Sequence, residues 1–390
     1  MHIDRLVDKK KLIVVWPYRF RDFDWQRFEL DYLAPYVEIH VHELLEALTS
    51  EFAVAYANRS ENPAVQRFNS LKDWRREFKK ISKNAIVFSH VRPINLKSTL
   101  ICWTLRRSKA RVVGFSTGGV PFSDFRVDVE KVDLPKPIKN MLHFFQRNAL
   151  SIFMPNCVVA GGSEEVVRVR RDNPKKTAVV LANSSDYSNS LNWRAANNSN
   201  ASIGVYLDTG FPGFPRDEIF EGIREKVSAE VWYPRLNKFL SLVEGFLNSS
   251  VIISIHPKHI GRDHKSMFQH RETIGGKTAE LVANSSFVIA TNSTSISYAV
   301  AFDKPLILVT SDQIQSGRDQ YKASLIANIS SETGARIFNI DREYSEQDLR
   351  DAMVIDQAKR GSYKRKYLTS RTDDRPNYQV LLDEVINAVD

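Results

Sequence analysis

Val251-Ile252-Ile253-Ser254-Ile255-His256-Pro257-Lys258 and, further along, Phe287-Val288-Ile289-Ala290-Thr291-Asn292-Ser293-Thr294-Ser295 follow one pattern. Each is a short apolar run that stops abruptly in groups able to hydrogen-bond. Such runs, without polar alternation, read as strands buried on both faces, as in a parallel sheet. Parallel strands need crossover connections, usually helices, and ligands bind beyond the carboxyl ends of the strands. Both polar stretches sit at such ends, so both are expected on one edge of one sheet.

The same reading extends in both directions. Residues 203–207 and 306–309 are further strands, and helices are expected at 233–247, 278–284 and 293–302. The first half repeats the rhythm, with strands at 12–16, 52–56, 85–88, 111–115, 157–160 and 177–181. Helical spacing is read over 36–49, 65–81 and 98–107, where Phe68, Leu71, Trp74 and Phe78 share a face. The chain is therefore expected to be α/β, with two Rossmann-like domains whose parallel sheets face a central cleft. An Asn/Ser-rich stretch at 183–200 marks the boundary. The expected division is 1–185, 201–355 and a C-terminal segment 356–390 whose last helix, near 379–389, returns to the first domain.

The chain has 390 residues, 43% of them apolar, enough for two ordinary cores. Its formal net charge of +9 favours an anionic partner: a phosphorylated substrate, a membrane surface or nucleic acid. Cys102 and Cys157, the only cysteines, lie in apolar stretches and read as core residues in a reducing compartment. The apolar run 12–16 is too short for a signal-peptide core, and no stretch approaches a bilayer span. The expected location is the cytoplasm, with peripheral contact at the inner face of the membrane. Residues 135–153 mix apolar and basic residues at helical spacing. They read as a buried helix, with a lipid-surface helix as the competing reading.

Chemistry is expected mainly in the second domain. His256 and Lys258 can donate to phosphate oxygens, and Pro257 fixes a turn that leaves carbonyls free to face a base. Ser293, Thr294 and Ser295 stand where a helix begins, so their hydroxyls and the free N–H groups there form an anion cradle. Asp208 ends the strand 203–207 before Thr209-Gly210-Phe211-Pro212-Gly213, where a carboxylate could serve as general base or nucleophile. A turn-capping aspartate is the plainer alternative. In the first domain Thr117, Gly118 and Gly119 follow strand 111–115 and could line the donor or acceptor side. A plain loop accounts for that stretch equally well. His90 and Arg92 leave strand 85–88 and could meet an acidic sugar or lipid phosphate, but a surface loop is the favoured reading of them.

Other patterns exclude chemistry. Lys277, in Gly275-Gly276-Lys277-Thr278, joins the cleft candidates, but this is no P-loop, because Arg271 occupies the first glycine position. Asp22-Phe23-Asp24 reads as helix capping rather than a metal pair. No metal-ligand spacing and no Gly-x-Ser-x-Gly nucleophile motif is found. RRM, KH, zinc-finger and basic-zipper signatures are missing, so nucleic acid is not the expected partner.

The order His256-Pro257, then helix and strand, then Ser293-Thr294, resembles bacterial GT-B glycosyltransferases that use CMP-activated acidic sugars: sialyltransferases and Kdo transferases. The stretch from Gly276-Lys277-Thr278-Ala279-Glu280-Leu281-Val282 to Lys304-Pro305-Leu306, with Tyr233-Pro234-Arg235-Leu236-Asn237 and Asp186-Tyr187, resembles glycosyltransferases of O-antigen and capsule synthesis. The resemblance covers about half of the chain, chiefly after residue 180. It implies a GT-B fold and transfer of Kdo or another nonulosonate from a CMP-sugar to a lipid-linked O-antigen, capsule or LPS glycan. It implies His256 and Pro257 on the nucleotide, Ser293 and Thr294 on its phosphate, and Asp208 in a catalytic role. No cofactor or metal is implied beyond the nucleotide-sugar substrate. CDP-polyol phosphotransferases and UDP- or GDP-sugar transferases share this layout. The first-domain carboxylate used as base by sialyltransferases has no matching motif here.

Overall fold

The computed structural model describes residues 9–48, 60–91, 93, 95–121, 154–173, 176–193, 202–212, 227–256, 264–316 and 321–388. The strand expected at 52–56 and the basic helix expected at 135–153 lie outside them, as do Arg92, Pro257 and Lys258. The chain divides into two compact units. Among described residues, the first unit takes those up to Thr117, those from 154 to Ser185 and those from Ser370 onward. The second takes Gly118 to residue 121 and Asp186 to Thr369.

The first unit holds β1 (Lys10–Trp16), β2 (Val37–Glu43), β3 (Val65–Arg67), β4 (Ile86–Ser89), β5 (Arg111–Ser116), β6 (Cys157–Gly161) and β7 (Ala178–Ala182). They form one parallel sheet in the order β3-β2-β1-β4-β5-β6-β7. β1 shows why the run is apolar throughout. Leu12 and Val14 face one layer, Ile13 and Val15 the other, because successive side chains of a strand point to opposite faces. The helices Leu71–Ile81 and Leu96–Arg107 cover the second face with Trp74, Phe78, Ile101 and Leu105. The first face is covered from the far end of the sequence, by Val380, Leu381, Val385 and Ile386.

Two segments differ from the sequence reading. The described part of 36–49 is not one helix: it forms β2 and then the short helix Leu45–Leu48. Val37, Ile39 and Val41 alternate with polar residues, a period of two that outweighs the helical spacing of the leucines after them. Residues 65–81 are likewise split. β3 comes first, and the helix begins only at Leu71, where the Ser70 hydroxyl accepts from Asp73 N at 3.1 Å.

The second unit holds β8 (Ile203–Leu207), β9 (Ser250–Ile255), β10 (Thr273–Gly275), β11 (Phe287–Ala290), β12 (Leu306–Thr310) and β13 (Arg336–Asn339). All are parallel, in the order β10-β9-β8-β11-β12-β13. Renumbered within the unit this is 3-2-1-4-5-6, the Rossmann order. Gly204 pairs with Phe287, and a Cβ there would come within 2.2 Å of the Phe287 ring. The glycine exists to admit that ring between the strands. The long helix Ala229–Leu247 packs Trp232, Leu236, Phe239, Leu240 and Val243 into the core and ends at Asn248 in the left-handed region.

In both sheets the chain reverses its direction of travel beside the first strand: between β1 and β4, and between β8 and β11. Open α/β sheets bind ligands at that switch point. No helix among the described residues is long and apolar enough to cross a membrane.

Candidate functional site

In the second unit, Leu207 is level with Ser254 of β9 and Ala290 of β11. The next residues of each strand therefore emerge side by side. Asp208 lies between the other two tips and is buried. Its Oδ1 accepts from Gly210 N at 2.9 Å and its Oδ2 from His256 N at 3.1 Å. Toward the other side, the Thr209 and Thr291 hydroxyls meet at 3.3 Å. The tips of β9, β8 and β11 are thus linked in sequence, with His256 at one end and Thr291-Asn292-Ser293 at the other.

Further polar groups extend this edge. The Ser254 and Thr278 hydroxyls are 2.8 Å apart, tying β9 to the start of the helix Thr278–Ala283. Lys277, just before that helix, is exposed and lies 3.5 Å from Glu280. Ser293 Oγ accepts from Ser295 N at 3.2 Å, while the amides of Ile296, Ser297 and Tyr298 bond back to Ser293, Thr294 and Ser295 carbonyls. The cradle expected from free N–H groups is therefore not formed by those four amides. What the turn presents are the hydroxyls of half-buried Ser293 and Ser295 and exposed Thr294. Two buried polar atoms at the ends of β11 and β12, Asn292 Oδ1 and Thr310 Oγ1, have no hydrogen-bond partner among the described residues. Such atoms cost about 1–3 kcal/mol each when left unsatisfied, and a bound polar ligand removes that cost.

One group at this edge carries no signal in the sequence. Lys322 is buried, with its ammonium 3.7 Å above the Phe211 ring. It opens the helix Tyr321–Thr333, and only the fold brings it beside the loop that follows Asp208. Gly119, read as a first-domain candidate, belongs to the second unit. Its carbonyl accepts from Ser297 Oγ at 3.3 Å and Tyr363 Oη at 3.0 Å. Gly118 precedes it, half-buried.

The corresponding edge of the first unit is built differently. His90 lies among aromatic rings. It is stacked on Phe115 at 5.1 Å, edge-on to Trp16 at 4.8 Å and tilted against Phe28 at 4.6 Å. Thr117 Oγ1 is 3.0 Å from Ser185 Oγ, and both residues are buried. Ser116 and Arg168 both hydrogen-bond to the buried carboxylate of Glu165. Glu165 reads in sequence as a first-turn helix charge, and nothing in the sequence marks it as buried. Arg19 and Glu43 form a fully buried ion pair at 2.6 Å, with Glu46 at 2.9 Å from the same guanidinium. Asp22 and Asp24 begin the helix Asp22–Arg27, and Asp24 Oδ2 accepts from Arg21 N at 3.0 Å, which is capping. Burial pushes the Asp24 carboxyl up to about 6. No group of three His, Cys, Asp or Glu residues among the described residues could hold a metal ion. Cys102 and Cys157 are buried free thiols, and burial raises Cys102 to about 11.

No family model and no curated protein matches the sequence. Solved structures do match the fold. The wall teichoic acid polymerase TagF aligns with a TM-score of 0.55 at 11% identity, over 98% of this chain and 90% of that one. A UDP-GlcNAc 2-epimerase from Methanocaldococcus jannaschii aligns at 0.51 and 12%, over 97% of this chain and 99% of the other. The same epimerase in complex with UDP-GlcNAc and UDP aligns at 0.50 and 12%, with the same coverage. At such identities the likeness establishes the architecture, two Rossmann-like units of the GT-B kind, and nothing finer.

Proposed function

We propose that this protein is a glycosyltransferase that moves a sugar from a nucleotide donor to a lipid-linked surface glycan, with CMP-linked Kdo or another nonulosonate as donor. The observation that carries the reading is the linked row of strand tips in the second unit: His256 bonded to Asp208, and Thr209 beside Thr291. A nucleoside monophosphate needs donors for its phosphate and backbone polar groups for its base, on one sheet edge at a switch point. His256, the hydroxyls of Ser293, Thr294 and Ser295, and the nearby cations Lys322 and Lys277 supply the first. Pro257 and Lys258, next in the chain after His256, complete the assignment.

In this reading the leaving phosphate is neutralised by hydroxyls and cations, with no metal required. Asp208 is the proposed catalytic carboxylate. Its two backbone hydrogen bonds also make it the residue that fixes His256 relative to the Gly210 loop. The charge of the chain suits an acidic sugar, a phosphate leaving group and a phosphate-bearing acceptor. The protein would work at the inner face of the membrane, where its acceptor is held.

The test is calorimetry with CMP, CDP, UDP and GDP, followed by assay of nucleotide release with and without acceptor. Preference for CMP supports the nonulosonate donor. Preference for CDP selects polyol phosphate transfer, and preference for UDP or GDP selects another sugar nucleotide. Turnover of the donor without any acceptor would replace transfer with donor-only chemistry, as in the epimerase. Binding of none of the four would overturn the nucleotide site.

A further inference from the structure

Residues 71–109 contain eleven lysines and arginines and only two acidic residues, Asp73 and Glu77. That surplus of nine equals the formal net charge of the entire chain. The basicity is therefore not a general property of the surface. Eight of the eleven stand on two helices of the first unit, Leu71–Ile81 and Leu96–Arg107.

A groove of about 660 Å³ runs between these helices. Lys72, Arg75, Arg76, Lys79 and Arg107 line it. Asp73 is taken by Arg76 at 3.0 Å and Glu77 by Lys80 at 2.8 Å. Lys72, Arg75 and Lys79 make no ion pair with any described residue. Beside the cations stands an apolar stripe at helical spacing: Leu96 is 77% exposed, Leu100 41% and Trp103 38%. Trp74 and Phe78 turn inward to the sheet and form the floor.

We infer that this face docks on an anionic phospholipid surface. Cations flanking exposed aliphatic and aromatic side chains match the two layers of such a surface, acidic headgroups above and acyl chains below. Nucleic acid would meet the same cations, but it offers nothing to the leucines. In the apolar stripe, the exposed ring that could stack on a base, Trp103, already has the Arg107 guanidinium 5.0 Å from its ring centre. The inference does not depend on the proposed transfer reaction, and its test uses no donor nucleotide.

The full-length protein is sedimented with vesicles of phosphatidylcholine alone or with a third of phosphatidylglycerol. Binding is expected only to the anionic vesicles and is expected to fall as salt is raised. The triple variant Lys72→Glu/Arg75→Glu/Lys79→Glu should weaken partitioning by about a hundredfold, since each basic residue near such a surface contributes about a tenfold change or less. Leu100→Ser/Trp103→Ser should weaken it by about tenfold and leave the remaining binding dependent on anionic lipid. All five positions are at the protein surface, and unchanged thermal melts would establish that the variants fold. Equal binding to both vesicle types, no binding, or anionic binding unchanged in both variants would overturn the inference. So would tight binding of polyuridylate by a protein that ignores the vesicles.

Discussion

The two switch points are built from the same topology and filled with opposite chemistry. Between β1 and β4 the first unit packs rings: Trp16, Phe28 and Phe115 around His90. Between β8 and β11 the second unit places a carboxylate and hydroxyls: Asp208, Thr209 and Thr291. Aromatic packing there stabilises the unit through ring contacts. The polar version gathers hydrogen-bonding groups at the edge, among them Asn292 Oδ1 and Thr310 Oγ1 at the neighbouring tips, which have no hydrogen-bond partner among the described residues. A sheet edge that carries such a cost is one that gains from a ligand.

The strongest way to break this comparison is Asp208→Ala. It removes the acceptor of two backbone N–H groups, each worth about 1.5–3 kcal/mol to a charged partner. Nucleotide affinity and turnover should fall at least about a hundredfold by calorimetry and nucleotide-release assay. An unaltered variant would mean that the polar tips serve folding alone.

The next effect belongs to the first unit and depends on pH. Burial holds the His42 imidazole down at about 4, with Trp74 Nε1 donating to its Nδ1 at 3.2 Å. The ring is neutral in the native state, whereas in the unfolded chain it titrates near about 6.5. Its contribution is thus present above that value and lost as pH falls through 4, by up to about 3 kcal/mol. The difference in denaturant stability between wild type and His42→Gln, measured from pH 7.5 to 4, should shrink by that amount. Asp24 acts in the opposite direction, since its folded value is raised. The variant difference isolates His42 from it. A constant difference would refute the neutral ring.

Gly204→Ala probes the second sheet itself. The added methyl must displace the Phe287 ring, and overpacking of this kind costs about 1–3 kcal/mol. Only the second unit's unfolding should shift. Smaller still is Thr291→Val, which removes one hydroxyl contact and should weaken nucleotide binding about fivefold, near 1 kcal/mol. His90→Phe is expected to leave nucleotide affinity unchanged. Loss of affinity there would return His90 to the ligand contacts and erase the contrast between the two edges.

The parts of this architecture that the sequence announced are those made by continuous apolar runs. β8, β9, β11 and β12 needed nothing beyond their own residues to be recognised. β10 and β13 did not stand out, because Thr273–Gly275 and Arg336–Asn339 are edge strands of three and four residues with partly exposed side chains. β2 was hidden by the leucines that follow it. At the candidate site, His256 and Asp208 could be placed because each directly follows a legible strand, and Ser293 because it stands three residues beyond one. Lys322 and Glu165 could not, since what makes them unusual is burial, created by partners distant in sequence. The Arg19–Glu43 pair is invisible for the same reason.

The return of residues 370–388 to the first unit has a consequence for how the protein is made. Tyr378 N donates to Glu29 at 2.7 Å, Lys10 reaches the Ile386 carbonyl at 3.1 Å, and Arg111 reaches Val385 at 3.0 Å. On the ribosome, the sheet of the first unit lacks part of the cover of one oily side until residues 370–388 have emerged. The unit encoded in the middle can close beforehand. Nascent chains stalled short of position 380 should therefore recruit holdase chaperones through the sheet of the first unit.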